Sequence, residues 1–367
     1  MHAAEQFGFT PAARFLLVAG AFVLVVAGLK ASSNLVVPFL LAVFIAVLVV
    51  PPMQYLRDHG LPTWAATLVV ILVLMGVGGA IVGLFTTSLN DFNASLPEYQ
   101  QRLKGMMSEL VAWLDTLGMP VSGETLNSVV DPSRTFRFAG DLIKGLGGVL
   151  TNAFLILLTV IFILFEANSL PSKLRVAVNA PEASLEHLRE VMQTINRYMF
   201  IKACTSLATG LIIWAWLSLL GVKYAVLWGM LAFLLNFVPT IGSIIAAVPA
   251  VLMALVQLGV DAALLATLGF MFVNVGIGNI VEPRVMGQGL GVSTLVVFLS
   301  LVFWGWVLGP AGMFLSVPLT MALKIGFTAN PQTYPIAIML GPAVEARAAM
   351  AAERDGIGSG ASSKAGG

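Results

Sequence analysis

The polar chemistry of this chain is concentrated where Gly and Pro interrupt two long apolar runs. The first run, Tyr224 to Val260, carries Asn236, Pro239, Thr240, Gly242 and Ser243 near its middle. The second, Val285 to Leu323, carries Gly309, Pro310 and Gly312. Neither contains a charged residue, and each is far longer than the roughly 20 residues one helical membrane span needs. Pro lacks an N–H and Gly permits open turns, so helices break at these points. Backbone groups freed inside a bilayer must face protein or a water-filled cavity. Half-helix ends then offer N–H and C=O groups to a polar solute. This is chemistry of binding and gating rather than of bond making. The segment between the runs adds the amides of Asn274 and Asn279. Its ends carry Asp261 and the pair Glu282 and Arg284, which flank Pro283. An ionisable group there could couple transport to an ion, or Glu282 and Arg284 could form a local pair steadying the second run. Asp261, just before an apolar run, also suits a helix N-cap.

Composition agrees with a membrane setting. Of 367 residues 58% are hydrophobic and 10% charged, against about 25% charged in a typical soluble protein. The net charge of +1 leaves no basic stripe for nucleic acid. The single cysteine, Cys204, allows no intrachain disulfide and is expected to behave as a small buried apolar residue. His2, His59 and His187 all fall in polar segments. The chain lacks the H-E-x-x-H zinc pattern, the G-x-S-x-G nucleophile turn and the G-x-x-x-x-G-K-[ST] phosphate loop. No enzymatic activity and no cofactor are expected, and transport without a partner would be passive or ion-coupled.

The elements that must position the breaks come from the remaining apolar segments. Spans are predicted near 12–30, 33–56, 62–88, 146–167, 203–220 and 261–281. The expectation is an all-α polytopic protein with about six full spans, two broken or re-entrant hairpins, and amphipathic helices outside the bilayer. Residues 1–88 hold the first three spans. Residues 89–144 form an extracytoplasmic insertion in which Leu96, Tyr99, Leu103, Met106, Leu110, Trp113 and Leu117 recur at helical spacing. Residues 145–202 hold the fourth span and a cytoplasmic amphipathic segment. Residues 203–326 form the transport core, and 327–367 a partly disordered Ala/Gly/Ser-rich tail.

The two hairpins share a pattern. Pro239 and Gly242 precede Val248-Pro249 and Met253-Ala254-Leu255. Pro310 and Gly312 precede Val317-Pro318 and Met321-Ala322-Leu323, with one residue of gap. Each hairpin comes after a span, and the two units enter from opposite sides, so they read as an inverted repeat. The Lys/Arg bias of the loops places both termini in the cytoplasm and the 89–144 insertion outside.

At Asn236-Phe237-Val238-Pro239 with Ile241-Gly242, at Glu282-Pro283-Arg284, and at Gly309-Pro310-x-Gly312 with Val317-Pro318, the chain resembles the autoinducer-2 exporter family of bacterial membrane proteins. The match is strongest across about 195–326. The resemblance implies a multi-pass inner-membrane protein that exports small solutes. The family is named for release of a furanone quorum signal, and other members are linked to sodium/proton exchange. It also implies a homo-oligomer, a pentamer being one form it allows.

Three readings are open at this point. The first is an exporter of a small polar solute, such as the autoinducer-2 signal, in which the hairpins move against the N-terminal spans. The second is a sodium/proton antiporter using Glu282 or Asp261. The third is a scaffold whose amphipathic segments bind a partner. The topology is directly testable. Alkaline phosphatase fused near residue 120 is expected to be active, and a fluorescent protein fused after residue 367 to fluoresce. The reverse pattern would invert the orientation.

Overall fold

The structure, a computed structural model, describes residues 10–118, 140, 152–167, 173, 182–238, 241–286, 292–328 and 333–342. Among these every element is a helix. In chain order they are α1 (Pro11–Ala31), α2 (Ser33–Asp58), α3 (Thr63–Thr116), α4 (Ala153–Ala167), α5 (Glu182–Leu219), α6 (Ala225–Leu235), α7 (Ile241–Leu258) and α8 (Val260–Val273). A π-helical segment, Asn274–Val281, continues α8 into α9 (Glu282–Met286). Then come α10 (Thr294–Leu308), α11 (Pro310–Thr328) and α12 (Tyr334–Leu340). The Pro239–Thr240 pair, most of 119–151 and the tail beyond residue 342 lie outside the described residues.

Among the described residues six helices are long and apolar enough to cross a membrane, which makes this a multi-pass membrane protein. Four of the expected spans are among them, together with the second arms of the two hairpins, α7 and α11; α1 and α4 are apolar helices whose described stretches are shorter. The outward surface is correspondingly apolar. Phe15, Leu24, Phe272 and Trp306 are among many large side chains that face outward, as a lipid solvent allows.

Two predicted boundaries dissolve. The span near 62–88 and the amphipathic stretch after it form one helix of 54 residues, α3, about 80 Å long. Pro97 lies inside it without ending it. The far half is held by tertiary contacts. Phe92, Tyr99 and Leu103 are buried against Trp228 and Leu231 of α6. Phe92 meets Trp228 edge-on at 5.3 Å, and the Tyr224 hydroxyl lies 2.9 Å from Ser95 Oγ. Leu96 and Met106 pack at the margin of this cluster, whereas Trp113 and Leu117 are exposed. Likewise the span expected to begin at 203 is the second half of α5, a single helix of 38 residues starting at Glu182. Nothing in the sequence between 182 and 219 breaks a helix, so polarity changes along α5 while its hydrogen bonding continues.

Helices α5 to α11 form two units, each a helix followed by a hairpin. In the first, α5 crosses α6 at two glycines. A Cβ on Gly210 would fall 2.8 Å from the Gly229 carbonyl oxygen, and one on Gly229 would fall 2.8 Å from that of Gly210. Small residues at such a crossing let backbones approach closely, which drives helix association in lipid. In the second unit α10 and α11 meet at Gly309, whose φ of 70° favours glycine, and Pro310 opens α11 at a position suited to its fixed φ.

The hairpins are closed by the same device. A Cβ on Gly242 would coincide with the carbonyl oxygen of Leu235, and one on Gly312 with that of Trp304. In each case the first turn of the second arm lies directly against a carbonyl of the first. Gly242→Ala and Gly312→Ala are therefore expected to destabilise the protein by about 2 kcal/mol or more through overpacking. Gly76→Ala and Gly83→Ala, where a Cβ meets nothing within 4 Å, should be neutral or slightly stabilising. Thermal unfolding of the four variants in detergent reads the difference.

Candidate functional site

The end of α6 leads into the first hairpin's turn through buried residues. Phe237 and Val238, in the turn after α6, are 5% and 4% exposed. Aromatic rings surround Phe237. Phe237 lies 4.3 Å from Phe314 of α11 and 5.7 Å from Phe44 of α2, and Phe44 lies 4.9 Å from Phe314. Tip one therefore rests against the second hairpin's return arm, with α2 behind both.

Beside this aromatic contact runs a polar row on α5. Lys202, Thr205, Ser206 and Thr209 recur at helical spacing and are all buried. Their neighbours Cys204, Leu207 and Leu211 are exposed. Half of α5 is thus inverted relative to a soluble helix, with polar groups inward and apolar groups toward lipid. Cys204 does not sit in the core as expected; it lies on the lipid face.

Across from the row, Asn236 at the hairpin tip donates from Nδ2 to Ser206 Oγ at 3.0 Å. One turn earlier, Lys202 Nζ donates to both carboxylate oxygens of Glu282, at 2.7 and 2.9 Å. The side chains are 6% and 16% exposed. Tyr198 is buried one turn before Lys202 on the same helix. The pair joins helices 80 residues apart in sequence. An unpaired charge at this depth would be costly, and the bidentate contact is what makes both charges tolerable.

Glu282 is aimed at α5 by an irregular helix. The eight residues Asn274–Val281 are π-helical, and the Glu282 N–H bonds to the Ile277 carbonyl, five residues back. The wider turn shifts the register of α9 relative to α8. Such segments are rare and often mark functional sites. Gly276 and Gly278 lie within it, and Asn279 is exposed.

The predicted residues now have places. Asn236 and Glu282 belong to the polar row. The Glu282–Arg284 pair does not form: Glu282 is held by Lys202, and Arg284 is exposed. The reason is helix geometry: residues two apart do not face each other, so Arg284 projects away from Glu282, which meets α5 instead. Asp261 is not the N-cap of α8. Gly259 holds that position, and Asp261 sits exposed in the first turn, where a negative charge suits the helix dipole. Ser243 and Asn274 share a groove of about 500 Å³ between α7 and α8 with Thr267, among apolar walls. Pro310 lines a separate recess of about 220 Å³ with Ser33, Asn34 and Asn152. Gly242, Gly309 and Gly312 shape the hairpins rather than offer side chains. Pro239 and Thr240 lie outside the described residues. Ser300 and Ser316, also near the breaks, bond to carbonyls of their own helices at 2.8 Å.

Lys202 is the residue that sequence reasoning missed. Its signal was present: Tyr198, Lys202, Thr205, Ser206 and Thr209 share one helical face inside an apolar stretch. The boundary drawn at 203 put Lys202 in a preceding polar segment.

A model of the AI-2E family of transporters matches residues 19–331. The chain belongs to the AI-2E transporter family. Among its relatives, the Escherichia coli protein TqsA, named an AI-2 transport protein, is 36% identical over 327 residues, covering 89% of this chain and 95% of that one. A Haemophilus influenzae protein, provisionally named a transport protein, is 39% identical over 89% of this chain and 96% of its own length. The E. coli protein YhhT, also provisionally named a transport protein, is 38% identical over 89% of this chain and 94% of itself. The match to the family thus takes in both hairpins, the π-segment and the polar row. This AI-2E transporter carries the Lys202–Glu282 pair at the junction of its two helix–hairpin units.

The ion pair makes a sharp energetic prediction. Lys202→Met or Glu282→Gln alone should cost about 3–5 kcal/mol, because either leaves its partner unpaired and buried. The double variant should recover most of that loss. A double-mutant cycle on unfolding in detergent measures it, and additive losses would show that the two charges are not coupled.

Proposed function

We propose that this transporter exports a small polar solute, such as the autoinducer-2 signal, across the bacterial inner membrane. The hydrogen bond of Asn236, at the end of α6, to Ser206 in the buried polar row of α5 is the observation that carries the reading. Polar groups inside an apolar bundle are the chemistry a hydroxylated molecule needs to cross it. The name of TqsA supports autoinducer-2 as the solute. Helix α6 has 11 residues, about 16 Å, or half the roughly 30 Å of hydrocarbon. This supports a re-entrant first hairpin ending at the solute.

In this reading Asn236, Thr240 and Ser243 contact the solute, with Asn274 and Asn279 lining its way. Pro239, Gly242, Gly309, Pro310 and Gly312 set the hairpin geometry on which gating depends. The two units act as an inverted repeat, both termini lie in the cytoplasm, and the chain works as a homo-oligomer, the last on family resemblance. The sodium/proton antiporter alternative has less support. Glu282 is already compensated by Lys202, and Asp261 is exposed at a helix start.

The test is release of autoinducer-2 from liposomes containing the purified protein. Release is expected to exceed that of protein-free liposomes, and Asn236→Ala to slow it about tenfold. Ser206 can turn to a carbonyl of its own helix, so the variant should keep its melting temperature within a few degrees. Unchanged release by Asn236→Ala would remove the hairpin tip from the path. Sodium-driven proton flux that requires Glu282 would favour the antiporter.

A further inference from the structure

Thr209 stands out among the described buried hydroxyl residues. It is 6% exposed, and its Oγ1 has no hydrogen-bond partner among the described residues. A helical Thr has an easy partner in the carbonyl one turn back. Thr67, Thr159 and Thr267 take it, donating to Thr63, Leu155 and Ala263 at 2.7–2.8 Å. Thr205, one turn before Thr209 on the same face, donates to the Lys202 carbonyl at 3.1 Å. Thr209 leaves this bond unmade in a buried site, where an unsatisfied hydroxyl costs the most.

Its position is equally specific. Within the apolar stretch Ile195–Leu219, Thr209 sits about 20 Å from the first residue and about 15 Å from the last, near mid-span. Lys202 and Glu282 lie about 10 Å away along α5. Between them come Thr205 and Ser206, the latter bonded to the hairpin-tip Asn236. The next residue, Gly210, is packed against Gly229 and Phe233 of α6. The backbone behind Thr209 is therefore fixed.

We propose that this face of α5 is a hydrogen-bonding ladder for a neutral, polyhydroxylated solute, with Thr209 as the rung that binds it at mid-span. The inference rests on the transport reading above and adds a specificity-determining residue to it. Ser206, Thr209 and Asn236 supply neutral donors and acceptors. The charges in the row, Lys202 and Glu282, cancel each other. A solute with several hydroxyls can satisfy each rung in turn, whereas an ion would meet no net opposite charge and would lose its hydration.

The test uses the full-length protein in liposomes and four probes: autoinducer-2 and D-ribose as neutral polyhydroxylated solutes, acetate and tetramethylammonium as charged ones. Wild type is expected to carry a neutral probe in preference to either ion. Thr209→Val keeps the shape and removes the hydroxyl. It should raise KM for that probe about three- to tenfold, the loss of one hydrogen bond, while melting at or above the wild-type temperature. Thr209→Ser should restore KM. A Thr209→Val protein with unchanged KM overturns the assignment, as does one that melts lower, since its hydroxyl then serves the fold. Wild type that carries only the charged probes overturns the neutral class. Wild type that carries none of the four overturns the transport reading itself, an outcome distinct from a failure of Thr209 alone.

Discussion

A lysine and a glutamate buried in an apolar bundle have to find each other. Neither Lys202 nor Glu282 can be left alone at its depth without a penalty of several kcal/mol, and their bidentate contact removes most of it. That requirement reaches far beyond two side chains. Lys202 stands on the helix that leads into the first hairpin, and Glu282 opens α9, the last stretch of the helix that leads into the second. The pair fixes the register of α5 against the α8–α9 helix. It also accounts for the π-segment, whose wider turns re-aim Glu282 without breaking the helix that carries it.

Around this tether the two hairpins are built by steric contact rather than by charge. In lipid there is little hydrophobic gain in bringing helices together, so close packing and hydrogen bonds must do it. Gly242 and Gly312 allow the second arm of each hairpin to lie on a carbonyl of the first. Gly210 and Gly229 allow α5 and α6 to cross at backbone distance. The aromatic contact of Phe237, Phe314 and Phe44 closes the space where the tip of one hairpin passes the other. Steric closure of this kind is bistable rather than elastic, which suits parts that shift between two packings. The polar row on α5 lies along that seam. In the transport reading proposed above, the glycine contacts would define the parts that move and the polar groups beside them the solute that passes.

The membrane setting and the helix breaks before Ile241 and at Gly309–Pro310 were legible in the sequence. Apolar run length and Gly/Pro breaks are local properties that lipid imposes directly. Helix ends were less legible. Both α3 and α5 continue through a change between apolar and polar sequence, because a helix satisfies its own backbone whatever the surroundings. Reading polarity as a boundary separated Lys202 from the face it belongs to. Partner choice was not legible at all. Glu282 and Arg284 are near neighbours in the chain, yet the contact that forms is with a residue 80 positions away.

Alone, the sequence determined that this chain crosses a membrane many times, where its helices break, and which family it belongs to, since these come from composition, spacing and local motif. Only the tertiary structure decided that Lys202 answers Glu282, that α3 docks its far half on α6, and that Thr209 holds its hydroxyl at mid-span without a partner among the described residues. Those depend on which helix faces pack together. That packing is set by the glycine crossings and the aromatic contact acting at once, and no single stretch of sequence contains it.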